Sequence, residues 1–350
     1  MPVSQDSTNL DFLRATAVFL VLLDHTIKFW GYPFLIGLNI EWLGRLGVLL
    51  FFVHTCTVLM LSLERQQGNF AGWNDCLYFY TRRIFRIYPL SILCVLLVVS
   101  IGIPAGRILP GTILPAPSDR ATVLSNVLLV QNLTFSESVI GQLWSLPFEL
   151  QMYLFLPPLF YLTARCRSVR ILLLLWALSL PAAVYVPHFI ARASLLTFVP
   201  HFWPGIIAYT LSWKALPRFP AFAWTLLIFL LIGAFMTRPS FEAGWFICLA
   251  LGCALPFFHT LSNRYLTRGS HLIAKYSYGI YLSHGVCLWL AFVRFSSAPR
   301  SLQFAVFLIS VSLFPVALFH AVEQPFIRMG TRIGRVFAAD RPIEPAPVAS

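Results

Sequence analysis

The charged or titratable side chains of Arg14, Asp24 and His25 fall within the first apolar stretch of the sequence, residues 10–30. A charged group in hydrocarbon costs at least about 2.5 kcal/mol, so such residues mark function or paired structure. Arg14 and His25 share one helical face, about 16 Å apart along the axis. The arginine can hold a phosphate, and the deeper imidazole can take a proton from a hydroxyl. The structural alternative makes Arg14 a membrane-edge anchor and His25 a hydrogen-bonding residue between helices.

A basic pair precedes the third apolar stretch. Arg83 and Arg86 are three residues apart, which makes them neighbours on one helix face. Two guanidinium groups in that arrangement form a fork for phosphate oxygens. Taken alone, the pair is also typical of a basic anchor at a cytoplasmic membrane edge.

Glu149 is a carboxylate near the start of the fourth apolar stretch, with no cation beside it in the sequence. It lies roughly 9 Å inside the outer end of its predicted helix, and His25 lies about 8 Å from the outer end of the first helix. This similar depth predicts that Glu149 orients the His25 imidazole. Trp144 and Ser145 open the same segment, and with Asp24 we expect them to contact substrate or support the site. Trp144 is equally typical of an interfacial aromatic belt.

A polar stripe crosses the ninth apolar stretch. Ser277, Tyr281 and His284 fall at i, i+4 and i+7, so they share a helix face that points into the bundle. We expect the stripe to support substrate or structure near the site. Hydrogen bonding between helices explains the same pattern without any role in catalysis.

The elements that carry these residues are predicted to be membrane helices. Of the 350 residues, 58% are hydrophobic and only 11% charged, and the mean hydropathy is +0.77. A soluble domain carries about a quarter charged residues. Apolar stretches of near-spanning length predict an all-α, polytopic membrane protein of about ten transmembrane helices. The predicted spans are 11–30, 46–63, 88–104, 143–162, 171–187, 194–212, 220–236, 244–259, 277–293 and 302–320.

The distribution of positive charge predicts the topology. With an even number of spans, about two thirds of the 25 lysines and arginines fall on the side of the N-terminus, so both termini are predicted to be cytoplasmic. The first apolar stretch has no basic leader or small-residue cleavage site, and we interpret it as a retained helix. Residues 1–335 are predicted to form one membrane domain, and residues 336–350 a disordered cytoplasmic tail.

Composition also limits the partners. The formal net charge is +12, but the basic residues sit at the ends of apolar stretches, which indicates topology and a lipid bilayer partner, with no nucleic acid. The seven cysteines are scattered and form no metal-ligand pattern, so no metal is expected.

Six segments, taken in order, resemble the acyltransferase-3 family of bacterial membrane proteins. The resemblance covers roughly residues 8–330 and departs from the family at Leu49, where Asp is usual, and at Thr55 and Cys56, where Ser-Gly is usual. The matching segments are Leu10–Arg14 with His25, Gly47–Phe52, Arg83–Pro89, Trp144–Glu149, Ser277–His284 and Glu323–Phe326.

The resemblance implies an enzyme that transfers an acyl group from an acyl-coenzyme A, usually acetyl and sometimes succinyl. It implies a glycan or glycolipid acceptor, such as lipopolysaccharide O-antigen, exopolysaccharide, periplasmic glucan, Nod factor or a macrolide sugar, and a multi-pass location in the bacterial inner membrane. The accompanying hypothesis is that Arg14, Arg83 and Arg86 hold the coenzyme phosphates while His25, oriented by Glu149, accepts the proton of the acceptor hydroxyl.

Two other classes of protein stay open at this stage. In a proton-coupled transporter or flippase, Asp24, His25 and Glu149 would form a proton relay. An inactive scaffold would tolerate alanine at these sites. A carrier has no evident need for aligned arginines, so the basic residues favour the acyltransferase.

Overall fold

The structure is a computed structural model that describes residues 7–29, 34–35, 38–65, 73–103, 108–109, 112–113 and 119–338. Its helices are α1 (Thr8–Phe29), α2 (Glu41–Arg65), α3 (Trp73–Ile101), α4 (Arg120–Val127), α5 (Gln131–Thr134), α6 (Leu146–Cys166), α7 (Val169–Phe189), α8 (Val199–Ser212), α9 (Ala221–Thr237), α10 (Phe241–Ala254), α11 (Arg264–Leu288), α12 (Arg300–Leu318) and α13 (Gln324–Ala338). Short 3-10 or π-helical segments adjoin them at Gly141–Ser145, Ala191–Phe198, Leu255–Phe257, Trp289–Arg294 and Phe319–Glu323.

Two short antiparallel ladders accompany the helices. In the first, Phe34 pairs with Asn39 between α1 and α2, and in the second Ile108 pairs with Ile113 between α3 and α4. Each strand has two residues. The predicted helical class therefore describes the bundle, and the ladders were not predicted.

Four helices in the described ranges are long and apolar enough to cross a membrane: Glu41–Arg65, Asn74–Ile101, Val169–Phe189 and Arg300–Phe337. All ten predicted spans overlap helices of the structure. Ten crossings and two cytoplasmic termini stay predictions. Most of the predicted tail, residues 339–350, lies outside the described residues.

Helix α2 is the centre of the bundle. Its most apolar stretch is 89% buried, whereas that of α7 is 17% buried. Apart from His54, Thr55 and Thr57, the sequence of α2 from Gly47 to Met60 is apolar on all sides, and a helix that is apolar all round is stable only when surrounded. It packs against α1, α6, α8 and α10.

Helix α1 lies between α2 and α11, and small residues allow its close approach to α2. A Cβ atom at Gly47 would collide with the Ala17 carbonyl, and one at Gly44 would collide with Asp24. At its beginning, α1 is held by Asn9, whose side chain donates to the His259 carbonyl and accepts from the Leu261 N–H. The packing of α1 against α2 and α11 therefore fixes the directions in which Arg14 and His25 point.

Candidate active site

Arg14 and His25 line two different cavities at the two ends of α1. The histidine cavity has a volume of about 610 Å³ and the arginine cavity about 430 Å³. The side chains that line the histidine cavity come chiefly from α1, α2 and the segment before α6; they include Asp24, His25, Lys28, Glu41, Arg45, Trp144, Phe148 and Tyr281. The arginine cavity is lined by residues that include Asp11, Arg14, His54, Thr55, Arg83, Arg86, Glu149, Tyr153, His271, Lys275 and Tyr278.

A third, narrow cavity, the neck, lies between the two and shares lining residues with each. Its volume is about 30 Å³, roughly the share of one water molecule in the liquid. Val21, Val48 and Tyr281 line both the neck and the histidine cavity. Phe51, Glu149 and Tyr278 line both the neck and the arginine cavity. The two cavities thus form one interrupted passage along α1.

The partners of His25 determine which ring nitrogen carries its proton. His25 Nδ1 lies 2.9 Å from the Val21 carbonyl, which can only accept, so Nδ1 is the donor. In the described part of the chain Nε2 has no hydrogen-bond partner, and it keeps the lone pair that a general base needs.

His284 is the side chain that contacts the His25 ring. Its Nε2 lies 3.4 Å from His25 Nδ1, and the ring centroids are 5.0 Å apart. Because His284 Nδ1 donates to the Ile280 carbonyl at 3.0 Å, its Nε2 is an acceptor for the His25 N–H. An imidazolium formed at His25 would strengthen this hydrogen bond. His284 is completely buried, so its ring is held in place.

Glu149 does not lie beside His25, and the predicted contact between them is wrong. Its carboxylate accepts a hydrogen bond from Tyr153 and faces the neck and the arginine cavity. The prediction rested on depth along two helix axes, and depth does not specify the direction in which a side chain points. His284, and not Glu149, is the side chain that contacts the His25 imidazole.

The three predicted arginines do lie together. The Arg14 guanidinium lies over the Phe51 ring, 5.4 Å from its centroid, and that of Arg83 lies 5.6 Å from the Phe79 centroid. Arg86 Nη2 lies 3.9 Å from Glu323 Oε1. Over the described ranges, Nε of Arg14 and Nε of Arg83 are buried without a hydrogen-bond partner. The cost of leaving these two donors unsatisfied shows that the cluster is built for more than packing.

The predicted stripe on α11 faces the passage. Ser277 lines the neck and donates to the Ala274 carbonyl at 2.8 Å. The Tyr281 hydroxyl donates to the Gln142 carbonyl at 2.5 Å and lies 2.7 Å from Ser145 Oγ. These bonds tie α11 to the segment before α6. Such bonds agree with a structural role for Tyr281 and Ser145 as hydrogen-bonding residues between helices. Both side chains also border the neck.

Asp24 and Trp144 both border the histidine cavity. Asp24 Oδ2 lies 3.0 Å from Lys28 Nζ, one helical turn away. The Trp144 ring lies 5.8 Å from that of Phe198 and 6.5 Å from that of Phe148. Trp144 therefore belongs to an aromatic wall of the cavity.

Several lining residues were not among the predicted site residues. His54 borders the arginine cavity and lies in the segment that departs from the family pattern, next to Thr55. Glu41 and Arg45 border the histidine cavity as an ion pair of 2.7 Å. Their i, i+4 spacing was visible in the sequence, but they precede the apolar stretch assigned to the second span.

A family model described as an acyltransferase domain, the acyltransferase-3 model, matches residues 7–320. The match confirms the resemblance based on the six segments. No curated protein and no solved structure was found to match the chain.

Proposed function

Because the chain belongs to the acyltransferase-3 family, whose members are membrane acyltransferases, we propose that it transfers an acetyl or other short acyl group from acyl-coenzyme A to a glycan hydroxyl. The observation that carries the proposal is the passage along α1, with a cluster of arginines at one end and a histidine at the other. A donor with charged phosphates and a reactive thioester at the tip of a long arm fits such a passage.

The donor phosphates bind in the arginine cavity. Arg14 comes from α1, and Arg83 and Arg86 come from α3, so the three guanidinium groups approach a ligand from two helices. Guanidinium–phosphate hydrogen bonds are charge-assisted and often bidentate. Acyl-coenzyme A is the donor substrate in this proposal.

The acyl group is transferred beside His25. Its Nε2 takes the proton of the acceptor hydroxyl as the oxygen attacks the thioester carbon and forms the new C–O bond. The tetrahedral intermediate then expels the coenzyme A thiolate as the C–S bond breaks. The thiolate takes the proton back from the imidazolium, and His25 returns to its starting state. While His25 is protonated, His284 Nε2 accepts a hydrogen bond from the Nδ1–H of the imidazolium.

The donor arm reaches His25 only when the neck widens. A neck of about 30 Å³ is too small for a pantetheine chain, so side chains at the contact between α1 and α11 must move aside on donor binding. Glu149 borders this constriction together with Phe51 and Tyr278, so the pantetheine arm would pass its carboxylate.

The acceptor belongs at the histidine cavity. The positive-inside distribution supports an arginine cavity on the cytoplasmic side, where acyl-coenzyme A is made, and a histidine cavity on the opposite side. We assign the protein to the bacterial inner membrane, where it would modify a cell-surface or secreted glycan or glycolipid.

The donor site is tested with a matched pair of arginine variants. Arg83→Ala removes a guanidinium from the arginine cavity, whereas Arg82 lies over the Tyr78 ring, 5.3 Å from its centroid, and does not line the cavity. Losing one charge-assisted contact costs about 1.5–3 kcal/mol, so the KM for acetyl-coenzyme A should rise roughly 10- to 100-fold in Arg83→Ala. Arg82→Ala should leave it within about twofold.

The readout is consumption of labelled acetyl-coenzyme A by the purified full chain in lipid nanodiscs. Equal KM values for the two variants would contradict the assignment of the phosphates to the arginine cavity. Failure of the wild-type protein to bind acetyl-coenzyme A would reject the acyltransferase and favour a proton-coupled carrier.

A further inference from the structure

The histidine cavity is electrically balanced. Among its described lining residues the charged side chains form two ion pairs: Lys28 Nζ lies 3.0 Å from Asp24 Oδ2, and Arg45 Nη2 lies 2.7 Å from Glu41 Oε1. Each pair spans one turn of a single helix, so the helix itself holds it together without a ligand. Residues 30–40, which connect the two helices in the sequence, contain no Asp, Glu, Lys or Arg.

The arginine cavity has the opposite character. Its described lining contains four basic side chains, Arg14, Arg83, Arg86 and Lys275, and two carboxylates, Asp11 and Glu149; a third carboxylate, Glu323, lies 3.9 Å from Arg86. A cavity with surplus positive charge attracts a polyanion. The balanced cavity at the other end offers no such attraction, so the two substrates of one reaction are selected by different physical properties.

Aromatic rings form one wall of the histidine cavity. Trp144, Phe148, Phe198 and Phe241 line it, and the ring centroids of Phe148 and Phe198 are 4.4 Å apart. The guanidinium of Arg45 is itself stacked on Trp42, 4.9 Å from its ring centroid, and on Phe241 at 5.3 Å. Apolar rings with a few polar groups that fix orientation are typical of small-molecule sites.

We propose that the acceptor enters the histidine cavity as an uncharged sugar, with the apolar face of its ring against Trp144. The proposal rests on the proposed function and names the acceptor class for it. An anionic or cationic sugar would lose hydration in a half-enclosed site, and the charged side chains described there are already paired with each other. A neutral sugar meets hydrogen-bonding groups of both kinds in Asp24, Lys28, Glu41 and Arg45.

The test changes the charge of the cavity in both directions. Glu41→Gln leaves Arg45 unpaired and gives the cavity a net charge of +1, whereas Arg45→Gln leaves Glu41 unpaired and gives −1. Both side chains are more than a third exposed, so neither substitution disturbs the core. The double variant restores neutrality and serves as the matched control.

Each protein is given labelled acetyl-coenzyme A and an equimolar mixture of methyl glucoside, methyl glucuronide and methyl glucosaminide, at a pH below neutrality so that the amine is protonated. The wild type and the double variant should acetylate the neutral glucoside best. Glu41→Gln should raise the glucuronide-to-glucoside product ratio about three- to tenfold. Arg45→Gln should raise the glucosaminide-to-glucoside product ratio by about the same factor. Added salt should shrink both shifts.

A purely structural role of the pair would lower all three products together and leave their ratios unchanged, which would overturn the proposal. A wild-type preference for a charged sugar, or hydrolysis of acetyl-coenzyme A without transfer to any of the sugars, would also overturn it while the donor site stands. Absence of acetyl-coenzyme A binding would reject the proposed function itself.

Discussion

The contact between His25 and His284 is tested by replacing His284 with phenylalanine or with glutamine. Phenylalanine keeps an aromatic ring in the buried position but cannot accept a hydrogen bond. Glutamine can present a carbonyl oxygen to the His25 N–H. The pair therefore separates the packing of residue 284 from its role as an acceptor for the proton on His25 Nδ1.

The size of the effect follows from the geometry. A hydrogen bond to a charged group contributes about 1.5–3 kcal/mol. The bond from His25 to His284 is long, at 3.4 Å, and the same N–H is shared with the Val21 carbonyl at 2.9 Å. We therefore expect the lower end, about 1.5 kcal/mol, or roughly a tenfold loss of kcat in His284→Phe. His284→Gln should stay within about threefold of wild type.

The assay measures kcat and KM for acetyl-coenzyme A with the purified chain. KM should not change, because the phosphates bind in the arginine cavity at the other end of α1. Ser283→Ala is the matched control, since Ser283 is equally buried but donates to Gly279 within its own helix. Thermal unfolding of each variant reports any loss of packing.

A double variant decides whether the two histidines act together. If His284 acts only through His25, adding His284→Phe to His25→Ala should cause no further loss of activity. Multiplicative losses in the double variant, or equal losses in His284→Phe and His284→Gln, would refute the reasoning.

Three further outcomes are expected. His25→Ala should reduce acyl transfer about 10²- to 10⁴-fold without changing the Kd for acetyl-coenzyme A, and near-normal transfer would exclude the general-base role. Gly47→Ala should destabilise the protein by about 1–3 kcal/mol, because the new methyl group meets the Ala17 carbonyl. Gly233→Ala is the control and should not destabilise it, because a Cβ atom there meets nothing within 4 Å. A thermal-unfolding series in which Gly233→Ala is the less stable variant would contradict the packing of α1 on α2. Ser277→Phe should fill the neck, so that donor binding persists while transfer is lost; retained transfer would show that the acyl arm takes another path.

The pairing of Arg83 with Arg86 and the common face of Arg14 and His25 were accessible from the sequence. Arg83 and Arg86 are neighbours on any helix, and Arg14 precedes His25 by three turns on one face. Helical geometry fixes such relations within one element, so spacing alone predicts them. The order of the six segments identified the family in the same way, because it depends only on the linear chain.

The partner of His25 was decided by tertiary packing. Two residues on different helices meet only if both helices have the correct rotation, and axial depth says nothing about rotation. Glu149 has a depth similar to that of His25, yet its carboxylate is bonded to Tyr153 and faces the neck. His284 was recognised as part of a polar stripe, but the sequence did not specify what the stripe would contact.

The charge balance of the histidine cavity also depends partly on spacing within one helix and partly on packing between helices. The i, i+4 pairs Asp24–Lys28 and Glu41–Arg45 are determined by the sequence, since each is formed within one helix. Only the packing of α1 against α2 brings both pairs to one cavity, because Gly44 and Gly47 allow the two helices to touch. The sequence therefore determined the chemical groups and their local partners, and the tertiary structure determined which of them share a space, since that depends on side-chain volumes at contacts distant along the chain.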